Sequence, residues 1–347
     1  MSRFVALILA EARLWQTHHA APTTVFFGGG TPSLLPALEM RRLIVGLQGA
    51  FDFSRVTEFS IEVNPATADF DYLCMLRESG VDRLSFGAQS FHQADLKVLE
   101  RHHDPQDVYR SIEMARRAKF ERLNLDLIYA VPGQTLESWN EYLSIALALG
   151  TEHLSCYALT YEESTAMTVR KRLGQFQAAT ESLELDMMRL TRDRLASSGL
   201  PAYEISNHAQ LGRECRHNLA YWQGKNYIGI GPSAASHLAG TRFKNLPHLG
   251  EWETAVDSGI VPAADIETLT PTRRCAEMIM SGLRLSQGVD LQRAMRVTGV
   301  EPVKHFSSVL GPLVSEKLLL LADDRWTLTP RGIEVADGIA SQFLALA

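Results

Sequence analysis

The chain has 347 residues, 46% of them hydrophobic and 21% charged, with a formal net charge of −6. That length suits one large core or a barrel with a smaller domain, and the charge argues against a broad nucleic-acid surface. No apolar run approaches the roughly 18–20 residues that cross a bilayer.

Arg3, the apolar run 4–10 and Ala10-Glu11-Ala12 have the outline of a secretion signal. Phe4, Leu7, Ile8, Leu14 and Trp15 nevertheless follow helical spacing, with Arg3, Glu11 and Arg13 off that stripe. The spacing predicts an amphipathic helix that opens a domain, in a chain that stays in a reducing cytoplasm with free thiols. Next comes Thr24-Val25-Phe26-Phe27, a strand running into Gly28-Gly29-Gly30-Thr31-Pro32-Ser33. Glycines let a ligand approach backbone amides, although the same turn also serves as a plain strand-to-helix connection.

A helix is expected over 37–47, and strand-like runs then alternate with helical patterns. Run 58–63 precedes a helix at 72–78, and 83–86 precedes helices at 93–99 and 106–118. Run 122–129 precedes 136–149, 153–159 precedes 178–197, and 202–205 is a last short run. Such alternation predicts parallel strands with crossover helices, in a doubly wound sheet or a (β/α) barrel. Both architectures place ligands just after the strands, where the polar and glycine residues cluster here.

Four of those residues carry candidate chemistry. Glu62, beside Asn64-Pro65, suits ribose hydroxyls or an ammonium, or is a surface glutamate. Gln89 can donate and accept to a ligand, or cap its own turn. Arg101 opens Arg101-His102-His103-Asp104, where adjacent histidines point apart and argue against a metal site. Asp126 places a charge inside the apolar strand Asn124-Leu125-Asp126-Leu127-Ile128-Tyr129, which is costly unless it is paired or hydrogen-bonded.

A second constellation is Cys215-Arg216-His217-Asn218-Leu219-Ala220-Tyr221-Trp222, followed by Tyr227-Ile228-Gly229-Ile230-Gly231-Pro232. It reads either as a packed aromatic cluster or as an axial ligand with flat walls for a planar cofactor. Beyond residue 262, helices are expected over 272–285 and 291–297, one or two more over 303–321 and a closing one over 333–344, with a strand at 325–329. That succession suggests a small winged-helix-like domain. Residues 265–347 hold nine basic and ten acidic side chains, which favours a structural or docking role over nucleic-acid binding. Cys74, Cys156, Cys215 and Cys275 lie far apart, without metal spacing, and Cys74 and Cys275 are expected in the core.

Together, Gly28-Gly29-Gly30-Thr31-Pro32-Ser33, Glu62-Val63-Asn64-Pro65, the run from Arg83 to Phe91 and the Asp126 strand resemble the radical SAM proteins related to oxygen-independent coproporphyrinogen III dehydrogenase. His217-Asn218-x-x-Tyr221-Trp222 resembles the HNxxYW signature of the haem-chaperone branch of that family, and the resemblance covers the chain in order. It implies an α/β fold: a partial (β/α)6 barrel lacking its first strand, with a winged-helix-like C-terminal domain. The implied divisions are a barrel core over 1–210, a connecting segment over 211–262 and the small domain over 263–347. Gly29, Gly30 and Thr31 would meet the methionine end of S-adenosylmethionine. Glu62, Gln89, Arg101, Asp126 and Thr160 would supply its polar contacts, and His217, Tyr221 and Trp222 would contact haem.

Such relatives hold a 4Fe–4S cluster on CxxxCxxC and cleave the cofactor to a 5′-deoxyadenosyl radical. No cysteine here has that spacing. We expect Met1 to be an internal residue of a longer protein, with a clusterless paralogue as the alternative; the polypeptide as written should not support radical chemistry. The function implied is a cytoplasmic haem chaperone that binds haem and S-adenosylmethionine. It would deliver haem to acceptor proteins, such as those of the respiratory chain, with at most transient membrane contact and no nucleic-acid partner. The alternatives are the dehydrogenase of porphyrin biosynthesis and a clusterless interaction protein.

Overall fold

The computed structural model describes residues 1–16, 21–163, 165–322 and 324–347. The chain forms two compact units, one of residues 24–37 and 58–214, the other of residues 1–23, 38–57 and 215–347.

The first unit is built on one sheet of six strands: β1 (Thr24–Phe27), β2 (Glu58–Val63), β3 (Arg83–Gln89), β4 (Arg122–Tyr129), β5 (His153–Ala158) and β6 (Asn207–Ala209). They lie side by side in chain order, β1 to β5 parallel and β6 antiparallel to β5. A doubly wound sheet reverses its order at a switch point, whereas an order without reversal is that of a (β/α) barrel wall. The α/β fold is therefore the partial barrel type.

Buried parallel strands usually read as continuous apolar runs, but these alternate. Phe59, Ile61, Leu84, Phe86, Leu123, Leu125, Leu127 and Leu154 are buried and point to one face. Ser60, Glu62, Arg83, Ser85, Asn124, Asp126, His153 and Ser155 share the other. At the strand starts the Arg122 guanidinium donates to buried Glu58 (2.7 Å) and to Asp82 (3.0 Å), tying three neighbouring segments together. Helices Phe70–Glu78, Pro105–Arg117 and Leu136–Leu149 are crossovers, the last two opened by capping boxes. Helix Ala166–Arg172 was not expected from sequence, and the run at 202–205 forms isolated bridges at Ala202 and Glu204, the strand itself falling at Asn207–Ala209.

In the second unit, helix Ser2–Leu14 packs against helix Leu249–Asp257, with Phe4 and Trp252 rings 5.8 Å apart. An antiparallel sheet of β7 (Ala235–Leu238), β8 (Thr241–Asn245) and β9 (Ala263–Thr268) belongs to this unit and was not expected from sequence. Its strands are short and mostly polar, with Ser236, Phe243 and Asn245 buried, so no apolar alternation announces them. The C-terminal part is winged-helix-like. Helices Pro271–Leu283, Leu291–Thr298, Ser307–Ser315 and Ala336–Leu344 surround a core of Phe306, Trp326 and Phe343. They carry a sheet of β10 (Val289–Asp290), β11 (Leu319–Ala322) and β12 (Arg325–Leu328) in the order β10-β12-β11. Of the one or two helices expected over 303–321, Pro302–His305 and Ser307–Ser315 form and strand β11 replaces the end of the run, while residues 333–344 are split between helices Pro330–Ile333 and Ala336–Leu344.

A buried carboxylate holds this unit at its centre. Glu11 is fully buried and accepts from Gly231 N (2.9 Å), Trp252 Nε1 (2.8 Å) and Asn245 Nδ2 (2.6 Å). Burial pushes its carboxyl above the ordinary range, and the three donors pull it back. Glu11→Ala leaves those donors unpaired, and we expect a loss of about 3 kcal/mol in a denaturant titration. An unchanged midpoint would contradict the central role of this group.

Candidate functional site

The site grows from the ends of β1 to β4. Gly28 follows β1, and a Cβ there would lie 2.7 Å from the Phe26 ring and 3.0 Å from Glu62 Oε1, so glycine lets the chain pass the carboxylate. Gly29 and Gly30 take φ values of +79° and +68°, where side chains are strained. The turn is thereby set so that Gly29 N donates to Glu62 Oε2 at 3.2 Å. Thr31, half-buried, leads into the short helix Pro32–Leu34. Buried Ser33 fastens the turn to the next loop, 2.6 Å from Thr67 Oγ1 and accepting from Asn64 N at 3.2 Å.

Glu62 is half-buried on β2. Burial raises its carboxyl above the ordinary range and the Asp126 charge adds to that, while Gly29 N–H opposes both. Asp126, on β4, is raised by burial too. Its opposing contacts are hydrogen bonds from Ser155, Asn124 and Ser85 and the charge of buried Arg83. Asn124 Nδ2 donates to Asp126 Oδ1 at 2.8 Å and Ser85 Oγ to Oδ2 at 3.1 Å. The charge expected to need partners in this strand has them.

Gln89 ends β3 with φ of +62°, a region uncommon for a non-glycine residue and frequent where a site stores strain. The β3–β4 register shifts between Phe86 and Gln89, which re-aims this residue, and its side-chain amide lies over Gly87. Buried His103 donates from Nε2 to the Ala88 carbonyl at 3.0 Å and steadies the same bend, while His102 is exposed. Arg101 and Thr160 are exposed. Arg101 N closes its loop on Leu96 O at 2.8 Å, and Thr160 Oγ1 reaches Ala158 O at 3.4 Å. Glu62, Gly29 and Asp126 are thus brought together by direct contact or charge, and Arg101 and Thr160 lie exposed beyond the strand ends.

Sequence reasoning passed over Ser33, Ser85, Asn124 and His153. The signal for the last three was the period-two recurrence of polar residues in otherwise apolar strands, as Arg83/Ser85, Asn124/Asp126 and His153/Ser155.

In the second unit, helix Arg216–Trp222 carries the other candidates. His217 is half-buried with its ring edge-on to Tyr221 (4.9 Å, 84°), Tyr221 meets Tyr227 at 4.4 Å, and Tyr227 meets His237 at 6.1 Å. Tyr221 is 40% exposed, so this aromatic row has an open face. Trp222 leaves the row. The Arg284 guanidinium stacks on it at 4.6 Å, and it walls a cavity of about 300 Å³ with Met280, Leu283, Leu328 and Leu344. His237, at the far end of the row, was not singled out from sequence.

Among the described residues no three His, Cys, Asp or Glu side chains converge as a metal site. The four cysteines are free thiols: Cys156, Cys215 and Cys275 are buried, whereas Cys74, expected in the core, is only half-buried because its side of helix Phe70–Glu78 borders solvent. Among the described residues these thiols do not converge and do not fit an iron–sulfur cluster. The barrel site does fit a ligand with hydroxyl or cationic donors, since two carboxyls there resist ionisation and Glu62 is met by the Gly29 amide.

Because the folded Glu62 holds its proton more tightly than the unfolded chain would, its ionisation costs stability as pH rises from the usual value of 4.5 upward. Glu62→Gln keeps an acceptor for Gly29 N–H and removes the charge. In the ligand-free protein we expect this variant to show a higher denaturant midpoint at pH 7 and a smaller advantage at pH 4. A lower midpoint at pH 7 would mean that the carboxylate stabilises the fold.

Residues 2–146 match the Radical SAM superfamily and residues 269–335 match the HemN C-terminal domain. The chain is 33% identical over 321 residues to the heme chaperone HemW of Lactococcus lactis, covering 92% of this chain and 84% of that protein. To the heme chaperone HemW of Escherichia coli it is 31% identical over 329 residues, covering 93% and 84%. Its fold is similar to coproporphyrinogen III oxidase (HemN) of Escherichia coli, with a TM-score of 0.84 at 22% identity, covering 98% of this chain and 82% of that one. With shared patterns running through both units, the chain belongs to the HemW family of the radical SAM superfamily.

Proposed function

We propose that this protein is a haem chaperone that binds haem and S-adenosylmethionine and passes haem intact to acceptor proteins. The observation that carries the reading is the identity of 31–33% over most of the chain to several proteins named heme chaperone, together with the open His217–Tyr221–Tyr227 row. An imidazole beside exposed aromatic rings offers an axial nitrogen and flat apolar surface, the two things an iron porphyrin requires. His217 is the ligand and Tyr221 a wall. Trp222 contributes from the far side of its short helix, where it is braced by Arg284.

In the barrel unit, Gly29, Gly30 and Thr31 line the turn for the methionine end of S-adenosylmethionine. Glu62 and Asp126 receive its ammonium and hydroxyl donors, and Gln89 presents an amide that both donates and accepts. Arg101 and Thr160 close the rim. When bound, S-adenosylmethionine supplies a sulfonium whose adenosyl group is available to family chemistry. The residues of this chain bind and orient it.

Haem titration tests the reading. We expect a Soret band that weakens or shifts in His217→Ala, and an unchanged spectrum would remove His217 from the site. Calorimetry with S-adenosylmethionine is expected to show weaker binding for Asp126→Ala and Glu62→Ala, by roughly tenfold or more for loss of a charged hydrogen-bond partner. Equal affinity in both variants would overturn the cofactor assignment. Anaerobic turnover of coproporphyrinogen would replace the chaperone reading with the dehydrogenase.

A further inference from the structure

Behind Asp126 runs a buried chain of hydrogen bonds with one direction. Asn124 Nδ2 donates to Asp126 Oδ1 (2.8 Å) and to Ser85 Oγ (2.7 Å), and Ser85 in turn donates to Asp126 Oδ2. With both amide hydrogens used, Asn124 Oδ1 is an acceptor. It lies 2.6 Å from His153 Nδ1 and 3.2 Å from Ser155 Oγ. His153 Nδ1 therefore carries the proton, and Nε2, 2.9 Å from the Tyr203 hydroxyl, accepts from it. Asn124 and His153 are each 1% exposed. Burial and the nearby cations of Arg83 and Arg122, with His208, hold His153 well below its usual range, so it stays neutral.

The amide has a second self-consistent setting. Turned over, Asn124 would donate to His153 Nδ1, the imidazole would protonate at Nε2 and donate to Tyr203, and the amide oxygen would face the Asp126 carboxylate. That setting opposes two acceptors. A proton on His153 Nδ1 blocks it, because Nδ1–H would then meet N–H.

We infer that His153 is a positioning residue for the S-adenosylmethionine site: its Nδ1–H fixes the Asn124 amide with both donors toward Ser85 and Asp126, and so holds the carboxylate for the ligand. This rests on the reading of Asp126 as a cofactor contact. Protein donors from Ser155, Asn124 and Ser85 take up part of the acceptor capacity of the carboxylate and the rest remains for the ligand, in an orientation set before binding. The sheet register makes the link, since Asn124 pairs with His153 and Asp126 with Ser155 across β4 and β5. Nothing in the motif around Asp126 announces it, because His153 lies on another strand.

The test uses the full chain and S-adenosylmethionine in calorimetry, beside a thermal melt of each variant. His153→Phe keeps the ring and removes the donor, and it should weaken binding about tenfold, the scale of one hydrogen bond to a charged group. His153→Asn, whose side-chain N–H can occupy the Nδ1 position, should restore affinity to within about twofold, whatever the melting temperatures of the two variants. Wild-type affinity in His153→Phe, with Asp126→Ala defective, would overturn the inference and leave the site intact. Wild-type affinity in Asp126→Ala would overturn the site and the inference with it. Nitrogen-15 NMR of the unsubstituted protein gives a readout that does not depend on any variant folding. A neutral Nδ1–H tautomer of His153 between pH 5 and 8 is expected, and an Nε2–H tautomer would overturn the proposal.

Discussion

Asp126 and Glu62 occupy one face of a parallel sheet, and the negative charge of the first makes the second harder to ionise. Burial acts in the same direction on both. The ligand-free chain therefore carries an electrostatic cost on this face, and backbone irregularities cluster around it. Gly28 cannot accept a Cβ beside the carboxylate, Gly29 turns its amide toward it, and Gln89 sits at positive φ beside a shifted register. Strain and repulsion concentrated at strand ends are characteristic of a surface shaped for a ligand rather than for its own stability.

Glu11 in the other unit marks the contrast. Both glutamates are raised by burial, yet Glu11 is met by three donors from Gly231, Asn245 and Trp252, and Glu62 by one backbone amide. Complete satisfaction makes the first a structural centre, joining the opening helix to the segment between 231 and 252. Incomplete satisfaction leaves the second with acceptor capacity, which a ligand can use. The same distinction separates Asn124, whose hydrogen-bonding capacity is filled within the protein, from Gln89, whose side chain sits half-buried over a glycine.

Much of this was legible in the sequence. Strands with glycine or proline just beyond them located the sheet, and Asp126 in an apolar strand pointed to a paired charge. Strand order was not legible, because alternating strands and helices fit both a doubly wound sheet and a barrel, and only the unreversed pairing decides. Strands β7 to β9 escaped because their buried positions, Ser236, Phe243 and Asn245, are mostly polar, so the sequence shows no apolar alternation there. Leu318, Leu319 and Leu320 read as helix because a run of leucines carries no period. Trp222 lay one residue from Tyr221 in the motif, yet a step of about 100° around a helix sends it to Arg284. His153 was hidden for the most general reason: its contact is across strands, and sequence separation conceals it.

The central claim is that haem leaves this protein unchanged and enters another. It is tested most directly by loading the chain with haem, mixing it with a haem-free acceptor carrying an affinity tag, and separating the two. The account predicts that the Soret absorbance moves to the acceptor with the porphyrin mass unaltered. Haem retained on this chain, or a porphyrin of changed mass in either fraction, would contradict it.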